Sequence, residues 1–175
     1  MPFKGHVFKS VVCGDGNVGK TSLILQYTEH KFTEKYIQTI GTNFAIADVM
    51  LPEGNPVKLQ LWDLGGQEQF NFAWPSFYAG AFAGILVYDI TRRETLQSLP
   101  TWQAGIEKYA GRETLYFVFG NKCDLESERA VTTAEGESMT RELGASGFWE
   151  TSAKTGENLR EAFYAIAEKL FQIYE

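Results

Sequence analysis

The chain has 175 residues, of which 44% are hydrophobic and 22% are charged, and these proportions are ordinary for a globular protein. This length predicts one domain, spanning residues 1–175, that is large enough to bury a hydrophobic core. The formal net charge of −6 argues against nucleic-acid binding and against a constitutive polybasic membrane contact, since both need a positive surface.

Targeting signals and cysteines give further expectations. No apolar run approaches the length of a membrane-spanning helix, and the sequence shows no signal peptide, N-myristoylation motif or prenylatable cysteine. We therefore expect a monomeric, cytoplasmic chain without a membrane anchor of its own, peripheral to membranes only if a lipidated tail is missing. The two cysteines, Cys13 and Cys123, are too few for a disulfide framework, which favours reduced thiols.

A phosphate-binding loop pattern, G-x-x-x-x-G-K-[ST], is matched by residues 14–21, which read Gly-Asp-Gly-Asn-Val-Gly-Lys-Thr. A strand-like run over residues 7–13 precedes the loop, and residues 21–30 can continue as a helix whose N-terminal dipole favours phosphate. The glycines let backbone N–H groups turn inward around an anion. Lys20 supplies positive charge for the β- and γ-phosphates, and the Thr21 hydroxyl can ligate Mg²⁺. The predicted nucleotide contacts of this segment are Gly14, Asp15, Gly16, Asn17, Val18, Gly19, Lys20, Thr21 and Ser22.

A hairpin and a second glycine-rich loop come next. Residues 30–42 have no clean periodicity and are predicted to form a loop. Residues 43–51 and 56–63 are strand-like, and the short turn between them predicts an antiparallel pair. Residues 63–68 form the glycine-rich loop, and a helix is predicted from about residue 69 to residue 79.

The rest of the chain alternates strands and helices. Residues 83–90 and 115–121 are near-continuous apolar runs, which are typical of strands buried on both faces of a parallel sheet. The other predicted elements are a helix containing Trp102, Ile106 and Tyr109, a helix from a capping box at 132–135 to 143–144, a strand over 147–151 and an amphipathic helix over 158–174. The pattern predicts one doubly wound α/β domain, whose six-stranded, mostly parallel sheet has one antiparallel edge strand and helices on both faces.

The loop that begins at Asp63 carries the residues expected to act on a phosphate. Asp63 ends an apolar strand, the pattern that completes a phosphate-loop site by holding Mg²⁺ directly or through water. Gly66 offers a backbone N–H that can approach a γ-phosphate, and Gln67 can orient an attacking water. An isolated Asp-x-x-Gly is an ordinary strand-end turn, but behind a phosphate loop it indicates a hydrolytic site. The candidate catalytic residues are Gln67, Lys20 and Gly66.

Two polar loops follow buried strands and can build a base pocket side by side. They read Asn121-Lys122-Cys123-Asp124 and Thr151-Ser152-Ala153-Lys154. The Asp124 carboxylate only accepts hydrogen bonds and therefore suits guanine, whose N1–H and N2–H₂ both donate, while the Ala153 N–H suits guanine O6. Adenine would leave these buried groups unpaired, which is costly. The predicted base-pocket residues are Asn121, Lys122, Asp124, Ser152, Ala153 and Lys154.

Together, these motifs make residues 7–171 resemble a Ras-superfamily small GTPase. The resemblance implies a P-loop NTPase (G) domain that binds GTP or GDP with Mg²⁺, hydrolyses GTP slowly to GDP and changes its two switch loops with the nucleotide. It also implies that Thr39 completes the metal ligands Thr21 and Asp63 when GTP is bound. The further nucleotide contacts implied are Phe32, which matches an aromatic that stacks on the guanine edge, Tyr36, Thr39 and Gly66. The implied partners are effectors, exchange factors and GTPase-activating proteins.

Features of two subfamilies are combined in this sequence. Residues 36–44, Tyr-Ile-Gln-Thr-Ile-Gly-Thr-Asn-Phe, resemble Rab proteins, whereas residues 62–67, Trp-Asp-Leu-Gly-Gly-Gln, have an Arf-like form. We favour a Rab-like protein that serves membrane-traffic-type regulation. The predicted effector patch, expected to be exposed, consists of Ile40, Phe44, Trp62 and Phe77, of which the three aromatics match the triad that Rab effectors contact. The alternative is that these aromatics fill gaps under the switch loops.

Hydrolysis is expected to be slow because no arginine is placed as an internal finger. Arg92 and Arg93 follow a predicted strand, and surface solvation is the role expected for both. An activating protein would then supply the arginine in trans. Two other function classes stay open. One is a GTP-binding adaptor that does not hydrolyse, which would have no need of Gln67 or Thr39, and the other is a P-loop phosphotransferase, for which no acceptor pocket or lid arginines are visible.

Overall fold

The computed structural model describes residues 3–33, 42–64 and 74–175. Within these ranges the strands are β1 His6–Cys13, β2 Thr42–Leu51, β3 Asn55–Leu64, β4 Ala83–Asp89, β5 Leu115–Asn121 and β6 Gly147–Glu150. They form one six-stranded sheet in the order β2-β3-β1-β4-β5-β6. β2 and β3 are antiparallel, and every other pair of neighbouring strands is parallel. The predicted sheet, with its antiparallel edge strand, is confirmed.

Helices cover both faces of the sheet. They are α1 Lys20–Glu29, α2 Trp74–Tyr78, α3 Arg93–Gln97, α4 Leu99–Tyr109, α5 Thr133–Glu142 and α6 Leu159–Tyr174, and short 3₁₀ turns cover Pro52–Gly54 and Glu126–Glu128. Side chains of α1 and α6 pack on one face, and side chains of α2 to α5 pack on the other. The chain therefore has the doubly wound α/β architecture that the sequence predicts.

Burial explains two of the sequence patterns. All seven residues of β4 are buried, which is why this central strand shows no polar alternation. On α6, the apolar stripe that contains Phe163, Ile166 and Leu170 is fully buried, and each such side chain stabilises the fold by roughly 1.5–3 kcal/mol. The 4-3 spacing of apolar residues also predicts that Ile173 belongs to this stripe, but Ile173 is 48% exposed, so the fully buried stripe ends at Leu170.

The start of α5 was predicted from its capping motif, whereas the short helix α3 was not predicted. The capping box is confirmed: the Glu135 N–H donates to Thr132 Oγ1 at 3.1 Å, and the Thr132 N–H donates to Glu135 Oε2 at 2.8 Å. By contrast, α3 was not predicted, because a helix of 5 residues is too short to show an apolar period. Ser98, between α3 and α4, has right-handed helical backbone angles. Of the helix predicted over 69–79, α2 occupies 74–78, and residues 69–73 lie outside the described residues.

Two further expectations can be compared with the structure. Cys13 is a buried free thiol and Cys123 is a partly buried one, as predicted. None of the helices in the described ranges is long and apolar enough to cross a membrane.

The strand order locates the site. β1 lies between β3 and β4, so successive parallel strands lie on opposite sides of β1. In doubly wound sheets, ligands bind at the carboxyl ends of the strands where the order reverses. The segment that follows β1 is the predicted phosphate loop.

Candidate functional site

The loop between β1 and α1 approaches its neighbours so closely that two of its positions require glycine. A Cβ at Gly14 would collide with the carbonyl oxygen of Val87, and a Cβ at Gly19 would collide with the amide nitrogen of Asn121. Gly19 also has φ = +97°, which disfavours any side chain. The backbone of the loop therefore lies directly over the ends of β4 and β5.

Lys20, the first residue of α1, reaches back over this loop. Its ammonium donates to the carbonyl oxygens of Gly14 at 2.8 Å and Asp15 at 2.9 Å, and the residue is 6% exposed. Burial lowers the pKa of Lys20, an effect that the Asp63 carboxylate opposes. A buried ammonium beside a loop of backbone N–H groups fits a bound anion such as phosphate.

Thr21 and Asp63 meet beside the same loop. The Thr21 hydroxyl donates to Asp63 Oδ2, and Asp63 is 1% exposed. Mg²⁺ prefers oxygen ligands and is commonly held by one or two carboxylates together with substrate phosphates. The pair therefore fits a Mg²⁺ site next to the phosphate loop. The third predicted ligand, Thr39, lies outside the described residues.

Asn121, at the end of β5, connects the phosphate loop to the second base-pocket loop. Its Nδ2 donates to the carbonyl of Val18 at 2.8 Å. Its Oδ1 accepts from the Thr151 hydroxyl at 3.1 Å and from the Ala153 N–H at 3.3 Å. Asn121 is completely buried, so this side chain joins three loops rather than facing solvent.

Asp124 and Ser152 bring the two predicted base-pocket loops together. The Ser152 hydroxyl donates to Asp124 Oδ1 at 2.7 Å, and the Thr155 N–H donates in turn to the Ser152 oxygen at 3.0 Å. Ser152 therefore fixes the orientation of the Asp124 carboxylate. The Ala153 N–H, assigned by sequence to guanine O6, donates to Asn121 in this structure.

A phosphate loop, a candidate Mg²⁺ pair and two joined base-pocket loops thus open at one end of the sheet. The model of the Ras family matches residues 9–172 of this chain. The chain belongs to the Ras family. Members of this family are GTP-binding switch GTPases that bind GTP or GDP with Mg²⁺ and act through regulators and effectors. The predicted superfamily is confirmed at this level.

Asp89, at the end of β4, organises a charged cluster in this Ras-family site that the sequence did not predict. Its Oδ2 pairs with Lys122 Nζ at 2.8 Å and with Arg92 Nε at 3.3 Å. Its Oδ1 accepts from the Thr91 N–H at 2.8 Å and the Thr91 hydroxyl at 2.6 Å. Burial alone would raise the pKa of Asp89, but the hydrogen bonds from Lys122 and Thr91 outweigh it and leave the pKa below its ordinary value. Asp89 is therefore a buried, ionised carboxylate that holds the side chains of Lys122 and Arg92 in place.

Arg92 corrects one prediction. It was expected to be a solvated surface residue, but its Nη2 donates to the carbonyl of Gly16 in the phosphate loop at 2.8 Å. Arg93 does not take part: its guanidinium pairs with Glu135 at 2.6 Å, and its side chain is 49% exposed. An acidic residue at the end of a buried apolar strand, here Asp89, is the sequence signal that could have identified this cluster.

Trp102 and Lys122 also hold the phosphate loop from outside. The Trp102 indole N–H donates to Asp15 Oδ1 at 2.9 Å, and the Lys122 ammonium donates to the carbonyl of Asn17 at 2.8 Å. The Trp102 ring also contacts Trp74, with centroids 5.7 Å apart. Trp102 was predicted only as a helix residue, since no local pattern relates α4 to a loop 87 positions earlier.

The aromatic residues of the predicted effector patch differ in exposure. Phe44 is 49% exposed and Phe77 is 2% exposed, while Trp62 between them is partly buried. The ring centroids of Phe44 and Trp62 are 5.4 Å apart, and those of Trp62 and Phe77 are 6.4 Å apart. The expectation of an exposed triad is therefore wrong for Phe77, a residue of α2 whose ring packs in the core.

Several predicted site residues complete the comparison. Phe32 is 40% exposed, Ser22 is partly buried at the start of α1, and Lys154 is exposed. The carbonyl of Lys154 accepts from Gln26 Nε2 at 3.3 Å, which ties its loop to α1. The predicted residues that lie outside the described ranges are Tyr36, Thr39, Ile40, Gly66 and Gln67.

Proposed function

We propose that this Ras-family protein is a guanine-nucleotide switch that hydrolyses GTP slowly to GDP and presents nucleotide-dependent loops to effectors. The observation that carries the proposal is the buried side chain of Asn121, which joins the phosphate loop at Val18 to the base-pocket loop at Ala153. Phosphate and base recognition are thereby built as one site.

Selectivity for guanine rests on Asp124. Because the Ser152 hydroxyl donates to its Oδ1, the carboxylate is presented as an oriented acceptor. Guanine offers two adjacent donors to such a group, whereas adenine offers none at these positions. Leaving this oriented acceptor without the two guanine donors is costly, and this cost is the source of discrimination.

Hydrolysis is assigned to residues around the phosphates. The buried Lys20 ammonium would neutralise charge on the transferring phosphoryl group, Gly66 would donate its N–H to that group, and Gln67 would orient the attacking water. Thr21 and Asp63, together with Thr39, would hold Mg²⁺, which would supply further charge neutralisation.

Slow turnover is part of the proposal and is supported by the positions of two arginines. Arg92 donates a hydrogen bond to the Gly16 carbonyl and pairs with Asp89, and Arg93 pairs with Glu135. Because of these contacts, neither guanidinium is placed to stabilise a transferring phosphoryl group. We expect an activating protein to provide an arginine in trans and to raise turnover by roughly 10³–10⁵, a range taken from Ras itself and other GTPases.

The Rab-like assignment, with membrane-traffic-type regulation, is part of the proposal. It is supported by the exposed ring of Phe44 next to Trp62, which offers an aromatic contact surface at the edge hairpin. Ile40 would extend this surface, and Phe77 would support it from below. The Arf-like residues 62–67 are the observation that favours the alternative ancestry.

The nucleotide released on denaturation of gently purified protein tests the proposal. Close to one GDP per chain is the expected result, because it requires both a guanine pocket and turnover. Retained GTP would favour an adaptor that does not hydrolyse. Bound ATP or ADP would contradict the guanine pocket and favour a phosphotransferase.

A further inference from the structure

Three consecutive carbonyl groups of the phosphate loop are each held by a side chain from outside the loop. The carbonyl of Gly16 accepts from Arg92 Nη2, that of Asn17 from Lys122 Nζ, and that of Val18 from Asn121 Nδ2. All three donor–acceptor distances are 2.8 Å. Asn121 is the last residue of β5 and Lys122 follows it, while Arg92 follows β4.

These contacts determine where the loop presents its N–H groups. In a planar trans peptide, the C=O of one residue and the N–H of the next point in opposite directions. Carbonyls drawn outward from Gly16, Asn17 and Val18 therefore turn the N–H groups of residues 17–19 to the other side, where an anion would bind. The outward donors pre-organise the cradle before a ligand arrives.

Arg92 is itself held in place for this contact. Its Nε pairs with Asp89 Oδ2 at 3.3 Å, while its Nη2 reaches Gly16. Lys122 Nζ binds the same carboxylate oxygen at 2.8 Å. The buried Asp89 carboxylate thus orients two cations toward adjacent carbonyls of the loop. The planar guanidinium of Arg92 makes both of its contacts at once, with Nε to the carboxylate and Nη2 to the loop.

A purely surface role for Arg92 is the competing interpretation. Its side chain is 34% exposed, and its Nη1 also lies 4.0 Å from the exposed Glu94 carboxylate. Exposed ion pairs of that kind contribute little. Arg93 provides the matched comparison, since it is the next residue, is also an arginine paired with a carboxylate, and is bonded to Glu135 and the carbonyl of Ala130 instead of the phosphate loop.

We propose that Arg92 is a positioning residue for the phosphate loop, which holds the Gly16 carbonyl outward and thereby sets how long a bound guanine nucleotide is retained. The proposal rests on the proposed guanine-nucleotide function. It adds to that function a determinant of nucleotide release outside the loops identified by sequence.

The test is the release rate of fluorescently labelled GDP into an excess of unlabelled GDP, in the presence of Mg²⁺. It compares the wild-type chain with Arg92→Ala, Arg92→Met and Arg93→Ala. Loss of a charge-assisted hydrogen bond from a partly exposed donor should speed release about fivefold to tenfold in both Arg92 variants. Arg93→Ala should release GDP within about twofold of the wild-type rate.

Melting temperatures check that release is measured on folded protein. Arg93→Ala removes an exposed ion pair and should change the Tm little, whereas Arg92→Ala removes a pair with the buried Asp89 carboxylate and should lower the Tm by a few degrees. Should Arg92→Ala fail to fold, the GDP release rate of Arg92→Met, which keeps the aliphatic part of the side chain, tests the positioning role. Wild-type release rates in the folded Arg92 variants would overturn the positioning role alone, whereas a wild-type chain that binds no guanine nucleotide would overturn the proposed function with it.

Discussion

The side-chain amide of Asn121 donates to the carbonyl oxygen of Val18 at 2.8 Å, so the end of β5 holds the phosphate loop directly. The oxygen of the same amide accepts from Thr151 and Ala153. A single buried side chain therefore sets the distance between the part of the site that binds phosphate and the part that binds the base.

Asn121→Ala should destabilise the fold as well as weaken nucleotide binding. The substitution leaves the Val18 carbonyl and the Thr151 hydroxyl without these partners in a buried place, and such groups cost about 1–3 kcal/mol each. We expect urea denaturation to show a loss of roughly 2–4 kcal/mol in the free energy of unfolding. Asn55→Ala is the control, because its amide also donates to a carbonyl, that of Pro52 at 3.3 Å, but in an exposed hydrogen bond. Equal losses in the two variants would contradict the joining role.

Asp124→Asn should change the preferred base from guanine to xanthine. An amide can donate to the O2 of xanthine, which replaces the guanine amino group, whereas it loses one acceptor for the guanine donors. We expect GTP affinity to fall by on the order of 10² or more relative to XTP, as measured by competition against a labelled nucleotide. Asp48→Asn, an exposed carboxylate of β2 that pairs with Lys58, should keep the wild-type preference. A variant at residue 124 that still prefers GTP would show that the base-pocket assignment is wrong.

Thr21→Asn should weaken the part of GTP binding that depends on Mg²⁺. Thr21 contacts Asp63 and supplies one of the oxygens that fit the metal. We expect GTP affinity in Mg²⁺ to fall about tenfold or more, while affinity in EDTA changes much less. Thr28→Asn, on the same helix with its hydroxyl bonded to the carbonyl of Ile24, should behave as wild type. The same loss of affinity with and without the metal would argue against the ligand assignment.

The sequence predicts the sheet and the central site residues because each of these leaves a local pattern. Continuous apolar runs identify β4 and β5, and glycine spacing identifies the phosphate loop. Asp124 and Ser152 are found because each lies in a short polar motif directly after a strand. The parallel arrangement then requires those strand ends to lie together.

Contacts between distant segments are what the sequence could not predict. Arg92 and Trp102 reach Gly16 and Asp15 across 76 and 87 positions, and these contacts depend on the packing of α3 and α4 rather than on any period. The burial of Phe77 has the same cause, because its ring projects from α2 into the core and lies against Tyr78, with ring centroids 5.2 Å apart. The sequence motif indicated an exposed position for Phe77, but the packing of α2 against the sheet buries its ring.

The ion pair between Arg93 and Glu135 should make stability depend on pH. The hydrogen bond from Arg93, with that from the Thr132 N–H, lowers the pKa of Glu135 from 4.5 to about 2. A carboxyl whose pKa is depressed on folding contributes stability that is present above about pH 4.5 and lost as the pH falls toward 2. Glu135→Gln should therefore reduce the steepness of the loss in Tm over this window. Glu137→Gln, an exposed carboxyl on the same helix, should keep the wild-type slope, and an identical slope for Glu135→Gln would contradict the linkage.

Gln67→Leu should block GTP hydrolysis without preventing GTP binding. The proposed role of Gln67 is to orient the attacking water, which matters for turnover and not for the phosphate, metal and base contacts made by Lys20, Asp63 and Asp124. We expect single-turnover hydrolysis to fall at least about tenfold, equivalent to about 1.4 kcal/mol in the activation free energy, with GTP affinity within about twofold of wild type. Gln69→Leu, which changes the other glutamine of the same segment, should hydrolyse GTP at the wild-type rate. Unchanged turnover in the residue 67 variant would remove the water-orienting role, and the same loss in both variants would assign it to the segment as a whole.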